Sequence, residues 1–185
     1  MNTPIFITGN KHKVIVLERL LGRELAHQHI ELNELQELDL HKLIKHKATH
    51  AYELMKKPVL VEDVALVAHA FGRWPGTYIK LFLQEVGEDG ICKMLDGFGD
   101  RAATATVIYG LYDGAQLTLF ESLTPGLIPN RPKGVGGTGW DAIFTPHGSD
   151  KTFAEINFVA GDNELSYQLI RAEAVQKLKK FLDKT

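Results

Sequence analysis

The feature that most constrains this chain is a change of hydrophobic period within its first twenty-two residues. Ile5 to Thr8 is a short apolar run that ends in Gly9-Asn10. Val14, Leu17, Leu20 and Leu21 then recur at helical spacing as far as Gly22, a residue suited to stopping a helix. The chain therefore opens as strand, tight turn, helix. The order repeats downstream. Leu40 to Lys57 reads as a second helix with Leu40, Leu43, Ile44, Ala48, Ala51, Leu54 and Met55 on one stripe. Pro58 then begins a short strand, Val59-Leu60-Val61, that runs directly into Glu62-Asp63. Alternation of this kind builds a sheet covered by helices.

The later segments add strands of another type. After a loop at Gly72-Arg73-Trp74-Pro75-Gly76, Tyr78 to Leu95 reads as helix with a break near Gly87 to Gly90. Ala102 to Tyr112 and Leu117 to Phe120 are strand-like runs separated by Asp113-Gly114, a strong hairpin signal. Trp140 to Phe144 is also strand-like, and a C-terminal helix beginning near Asn163 closes with Gln176 to Leu182. The expected fold class is α/β, a mixed central sheet in two lobes with flanking helices. A cleft between the strand–helix half and the hairpin half is where a ligand would be expected.

Composition narrows the function classes. At 185 residues the chain is one domain, or one core with a smaller lobe, and 44% hydrophobic residues suffice for a core without staples. A net charge of −2 leaves no basic footprint for a nucleic-acid polymer. Cys92 is the lone cysteine, so no intramolecular disulfide can form, and it reads as a small packed side chain in a reducing compartment. Met1 to Phe6 lacks the basic and apolar regions of a signal peptide, and no apolar run reaches membrane-spanning length. The expected location is the cytoplasm.

Several residues have the chemistry of a phosphate site. Thr8-Gly9-Asn10-Lys11-His12-Lys13 stands where the opening strand meets the helix. A helix N-terminus offers free N–H groups and a positive dipole end to an anion. Thr8 and Asn10 add polar side chains, Gly9 permits close approach, and Lys13 lies one turn into the helix. A capped helix with surface lysines accounts for the same residues. Glu62-Asp63 follows an apolar strand, where carboxylates face the ligand crevice of α/β proteins. Such oxygens hold Mg²⁺ together with substrate phosphates, or orient a water; a solvated turn is the plainer reading. Glu34 and Glu37 are further candidate carboxylates. Lys47 shares a face with the apolar stripe of the second helix, so it must snorkel outward or meet an anion, and snorkelling is the commoner outcome.

Two other motifs lack their context. Gly134, Gly136 and Gly139 have G-x-G-x-x-G spacing but follow Pro129-Asn130-Arg131-Pro132-Lys133 where a dinucleotide fold needs a strand. His46 and His50 have the spacing of metal ligands, yet they flank the stripe among Lys45, Thr49 and Glu53, on a face that reads as solvated.

Taken in order, these segments resemble the inosine triphosphate pyrophosphatase family. Thr8-Gly9-Asn10-Lys11-His12-Lys13 is similar to its (Ser/Thr)-x-Asn-x-x-Lys signature, and Glu34-Leu35-Gln36 to its Glu-aromatic/aliphatic-Gln step. Lys47-Ala48 falls where the family has a helical lysine. Pro58 to Asp63 and Trp74-Pro75-Gly76-Thr77-Tyr78-Ile79-Lys80 resemble its central block. Gly139-Trp140-Asp141 and Thr152-Phe153-Ala154-Glu155 resemble its late motifs, so the similarity runs from about residue 5 to residue 182.

The resemblance implies a single domain over residues 1–185 that hydrolyses (deoxy)nucleoside triphosphates to monophosphate and pyrophosphate, clearing deaminated purine nucleotides. It implies Mg²⁺, with Mn²⁺ as a substitute, and a homodimer. By position, Thr8, Gly9, Asn10, Lys13 and Lys47 would hold phosphates, and Glu34 and Asp63 the metal. Asp63 and Lys13 would be catalytic, and Trp140, Asp141, Tyr167 and Gln168 would contact the nucleotide. This sequence departs from the family at the base-reading end. Thr138 replaces a phenylalanine, Asp162-Asn163 replaces Lys-Asn, and Ser166-Tyr167-Gln168 replaces Ser-His-Arg. A different donor and acceptor set there implies altered base preference. The alternative is a nucleotide-binding protein that has lost hydrolysis, and a protein-interaction domain is the plainest third reading.

Overall fold

A computed structural model describes residues 3–33, 35–135 and 137–184. Its first strand, β1 (Ile5–Ile7), buries Phe6 and Ile7, and α1 (Lys11–Leu21) follows within four residues. Asn10 is the N-cap, its Oδ1 accepting from the backbone N–H groups of His12 and Lys13 at 2.9 and 3.4 Å. Gly22 ends α1 in the left-handed conformation at φ 72°, which a side chain would disfavour. β2 (His27–Gln28) lies parallel to β1. α2 (Leu40–Met55) starts on an Asp39 cap and buries Leu40, Leu43, Ile44, Ala48 and Ala51 of the expected stripe, while Leu54 is exposed and Met55 half-buried.

β3 (Val59–Ala68) runs parallel to β1, with Ile5 opposite Val59 and Phe6 opposite Leu60. It is ten residues long, so Glu62-Asp63 lies inside the strand and not at its carboxyl end as the apolar run suggested. Two causes carry the strand through. Ala65, Leu66 and Ala68 are buried beyond the charges, and cations meet both carboxylates. Continuing the register sets Thr8 level with Glu62, so β1 is the strand that ends beside the acidic pair.

β4 (Pro75–Gly76) pairs antiparallel with β3. α3 (Ile79–Met94) contains the expected break, at Gly87, whose φ of 72° and ψ of 165° are not helical. β5 (Ala102–Tyr112) and β6 (Leu117–Leu127) form the hairpin, and Asp113 Oδ1 accepts from the N–H groups of Ala115 and Gln116 in its turn. β7 (Thr145–Pro146) adds to β6 antiparallel. The sheet has seven strands in the order β2-β1-β3-β5-β6-β7, with β4 on β3.

Two further expectations are corrected. Residues 140–144 are not a strand: Asp141–Ile143 is a turn of 3₁₀ helix, bent by a hydrogen bond from the Thr138 N–H to the Asp141 side chain. The single C-terminal helix from Asn163 is instead two, α5 (Leu165–Leu169) and α6 (Ala172–Leu182). Between them Ile170 and Arg171 are buried, and Arg171 is ion-paired, so tertiary partners set the backbone there. Sequence reading also missed α4 (Phe153–Ala160).

The chain divides into two compact units, Met1–Val64 with Val107–Ser122 and Arg171–Thr185, and Ala65–Thr106 with Leu123–Ile170. In the first, α1 packs on α6, and Phe6, Leu17, Ile44, Leu60, Ile108 and Leu178 are buried. In the second, Trp140, Phe144 and Phe153 form an aromatic cluster with ring centroids 5.2–6.1 Å apart.

Candidate active site

The first unit gathers five charged side chains beside the β1–α1 turn. Lys13 Nζ lies 2.9 Å from Glu62 Oε2, and Arg171 Nη2 lies 3.0 Å from Glu62 Oε1. Lys47 Nζ donates to Asp63 Oδ2 at 2.7 Å, while Asp63 Oδ1 accepts from the Val64 N–H at 2.9 Å. Lys47 thus meets an anion, against the snorkelling that its helix position alone favours. Among the described residues, the three cations Lys13, Lys47 and Arg171 face these two carboxylates. Arg171 and Glu62 are fully shielded from water, whereas the Lys13, Lys47 and Asp63 side chains keep 15%, 23% and 26% of their exposure.

The electrostatics follow from this arrangement. Burial alone would raise the Glu62 pKa, but Arg171 and Lys13 outweigh it and hold the carboxyl below its ordinary range. Burial likewise works to raise Asp63, and Lys13, Lys47 and the Val64 N–H together bring it below the ordinary value. Both groups are therefore carboxylates at neutral pH. The fully shielded Glu62–Arg171 pair contributes modestly as a whole, while removing one of its partners is severe.

The turn itself is a capped helix. Thr8 Oγ1 accepts from the Asn10 N–H at 3.1 Å, and Asn10 caps α1. Gly9 has a steric reason to lack a side chain, since a Cβ there would fall 2.8 Å from His29 Cδ2. Sequence reading did not single out His29. The parallel pairing of β1 with β2 brings it there, and pairing leaves no local signal.

In the second unit, Trp140 is buried in the aromatic cluster. Asp141 is buried too, and its Oδ2 accepts from the Thr138 N–H, Asn157 Nδ2 and Ser166 Oγ at 2.9, 3.2 and 3.0 Å. Asn157 also escaped the sequence reading, which placed Ser166 only in the Ser-Tyr-Gln run. Tyr167 and Gln168 lie half-buried on α5, and Gln168 Nε2 donates to Asp162 Oδ2 at 3.2 Å. Thr138 is exposed. Cys92 is buried and its thiol is pushed up to about 11 by desolvation, a packed and unreactive side chain. His46 and His50 are half-buried, and His50 Nδ1 accepts from the Asn33 N–H at 3.3 Å, so their face is less solvated than expected.

Glu34 lies outside the described residues, and Glu37 Oε1 accepts from the Asp39 N–H at 2.9 Å. Among the described residues no three His, Cys, Asp or Glu side chains form a metal cage. Mg²⁺ is commonly held by one or two carboxylates plus substrate phosphates, and a partly exposed, ionised Asp63 has the donor chemistry for that.

Comparison with known proteins gives a consistent picture. Residues 4–181 match the model of the Ham1 family. An inosine triphosphate pyrophosphatase from Aspergillus fumigatus is 40% identical over 182 residues, covering 96% of this chain and 93% of that protein. Another, from Emericella nidulans, is 37% identical over 186 residues, covering 98% and 97%. In fold, the chain is similar to a Ham1 protein from Coxiella burnetii, with a TM-score of 0.83 and 20% identity over 98% of this chain and 99% of that one. A Ham1 protein from Staphylococcus aureus gives a TM-score of 0.82, also at 20% identity, with 98% of each chain covered.

Proposed function

The chain belongs to the Ham1 family, and on that footing we propose that it hydrolyses (deoxy)nucleoside triphosphates to nucleoside monophosphate and pyrophosphate. The observation that carries the reading is the assembly of Lys13, Lys47 and Asp63 beside the Thr8–Lys13 turn. Water adds to phosphorus as pyrophosphate leaves, so the site must offset charge on the phosphates and orient the water. Lys13 and Lys47 supply the positive charge. Thr8, Gly9 and Asn10 offer the turn and the start of α1 to phosphate oxygens. Asp63, ionised at neutral pH, orients the attacking water and takes up its proton.

Mg²⁺, with Mn²⁺ as substitute, would be held by Asp63 and Glu34 together with the phosphates and would offset their charge. Trp140, Asp141, Tyr167 and Gln168 remain the proposed nucleotide contacts of the second unit. There the Gln168–Asp162 hydrogen bond supports an altered base preference. The same reading has residues 1–185 act as one domain, as a homodimer in the cytoplasm. Loss of hydrolysis gains no support from the site, where Lys13, Lys47 and Asp63 stand together. A panel of inosine, xanthosine, adenosine, guanosine and pyrimidine triphosphates, assayed for pyrophosphate with Mg²⁺ or Mn²⁺, tests the activity. Turnover of at least one is expected; turnover of none would sink the proposal.

A further inference from the structure

Arg171 is a buried arginine far from any phosphate motif in the sequence, 109 positions from the carboxylate it meets. Glu62 divides its two oxygens between cations, Oε1 to Arg171 at 3.0 Å and Oε2 to Lys13 at 2.9 Å. This carboxylate is therefore shared by two cations, and Lys13 also acts on Asp63. Of these three side chains only Lys13 reaches solvent.

Consider the same site without Arg171. Glu62 would then rely on Lys13 for its compensation. For Lys13 to turn toward a phosphate, it would have to leave a buried carboxylate uncompensated, which is among the least favourable changes inside a protein. With Arg171 present, Glu62 stays compensated whichever way Lys13 turns. We propose that Arg171 is a positioning residue that acts through Glu62: by holding that carboxylate from behind, it leaves the Lys13 ammonium available to the triphosphate. The inference rests on the reading of Lys13 as a phosphate ligand. The position of Arg171 suits the role, because as the N-cap residue of α6 its backbone carbonyl accepts from the Val175 N–H at 2.9 Å and is fixed to that helix.

The test compares the full-length wild type with Arg171→Met and with the double variant Arg171→Met/Glu62→Gln. Calorimetry gives the affinity for inorganic tripolyphosphate, and steady-state assays give kcat and KM for the best nucleotide of the panel. Thermal melting reports folding. Arg171→Met is expected to weaken tripolyphosphate binding and raise KM by at least about tenfold, with kcat affected less. The double variant is expected to recover to within about threefold of wild type, because Glu62 then no longer competes for Lys13 as a carboxylate. A merely structural role would not produce that recovery. A folded Arg171→Met that binds as wild type does, or a double variant as weak as the single, would overturn the inference. Should Arg171→Met fail to fold, the double variant decides alone, since replacing a buried ion pair by neutral side chains is tolerated. Affinity near wild type is then expected, and a tenfold loss overturns the idea. If wild type itself neither binds tripolyphosphate nor turns over any nucleotide, the functional proposal fails first and takes this inference with it.

Discussion

The two oxygens of Asp63 have different partners, Val64 N–H on Oδ1 and Lys47 Nζ on Oδ2. An asparagine there keeps one acceptor for the backbone amide but loses the charge that faces Lys47. Asp63→Asn should therefore lower kcat by about 10²–10⁴-fold, the range for loss of a positioned base. Stability should move by only about 1 kcal/mol, because the group is partly exposed and its lysine can reach water. Pyrophosphate release and a thermal melt on the same preparation check both halves, and a kcat within threefold of wild type would remove Asp63 from the water-orienting role. The residues of this site were legible to different depths. Thr8, Asn10 and Lys13 stand in one continuous run, and the apolar stripe of α2 marks Lys47 as out of place. Arg171 and His29 are brought in by tertiary pairing, and no local period announces a partner 109 residues away.

Among the secondary-structure elements, α1 and α2 were legible because each buries one stripe over several turns. α4 was not. It spans eight residues and leaves Phe158 and Val159 66% and 69% exposed, so its apolar residues do not trace one buried face. Its start was nonetheless written in Thr152-x-x-Glu155, a capping box. Thr152 Oγ1 accepts from the Glu155 N–H at 3.3 Å and donates to the Lys133 carbonyl at 2.9 Å, and Glu155 Oε2 accepts from the Thr152 N–H at 2.8 Å. Because Thr152 is fully buried, its lost partners cannot be replaced by water. Thr152→Ala should cost about 1–2 kcal/mol and lower the thermal midpoint by about 3–6 °C, whereas Thr152→Ser should retain most of the stability. Denaturant titration measures it, and an alanine variant within about 0.3 kcal/mol of wild type would show that the box contributes little. β3 was misjudged in length for the opposite reason. Its charged pair interrupts an apolar run without interrupting the strand, because the partners of those charges come from other elements.

For the molecule as a whole, the paired carboxylates tie folding to acid. Glu62 and Asp63 both hold their pKa below the unfolded value, burial opposing the shift and the surrounding cations overcoming it. Such groups bind fewer protons when folded than when unfolded, so stability rises with pH across the interval between the two values. The contribution is fully present above the ordinary carboxylate range, about pH 4–4.5, and is lost as pH falls through the lowered values. Protonation also removes the negative charges that Glu62 and Asp63 present to Lys13, Lys47 and Arg171, so the acid transition should be steep. Thermal midpoints recorded between about pH 3 and pH 7 should therefore drop sharply below about pH 4. In the Arg171→Met/Glu62→Gln variant the Glu62 share of that dependence is absent, so its midpoint should fall less over the same interval. Parallel curves for the two proteins would mean that other carboxylates govern acid unfolding and that this cluster is not its origin.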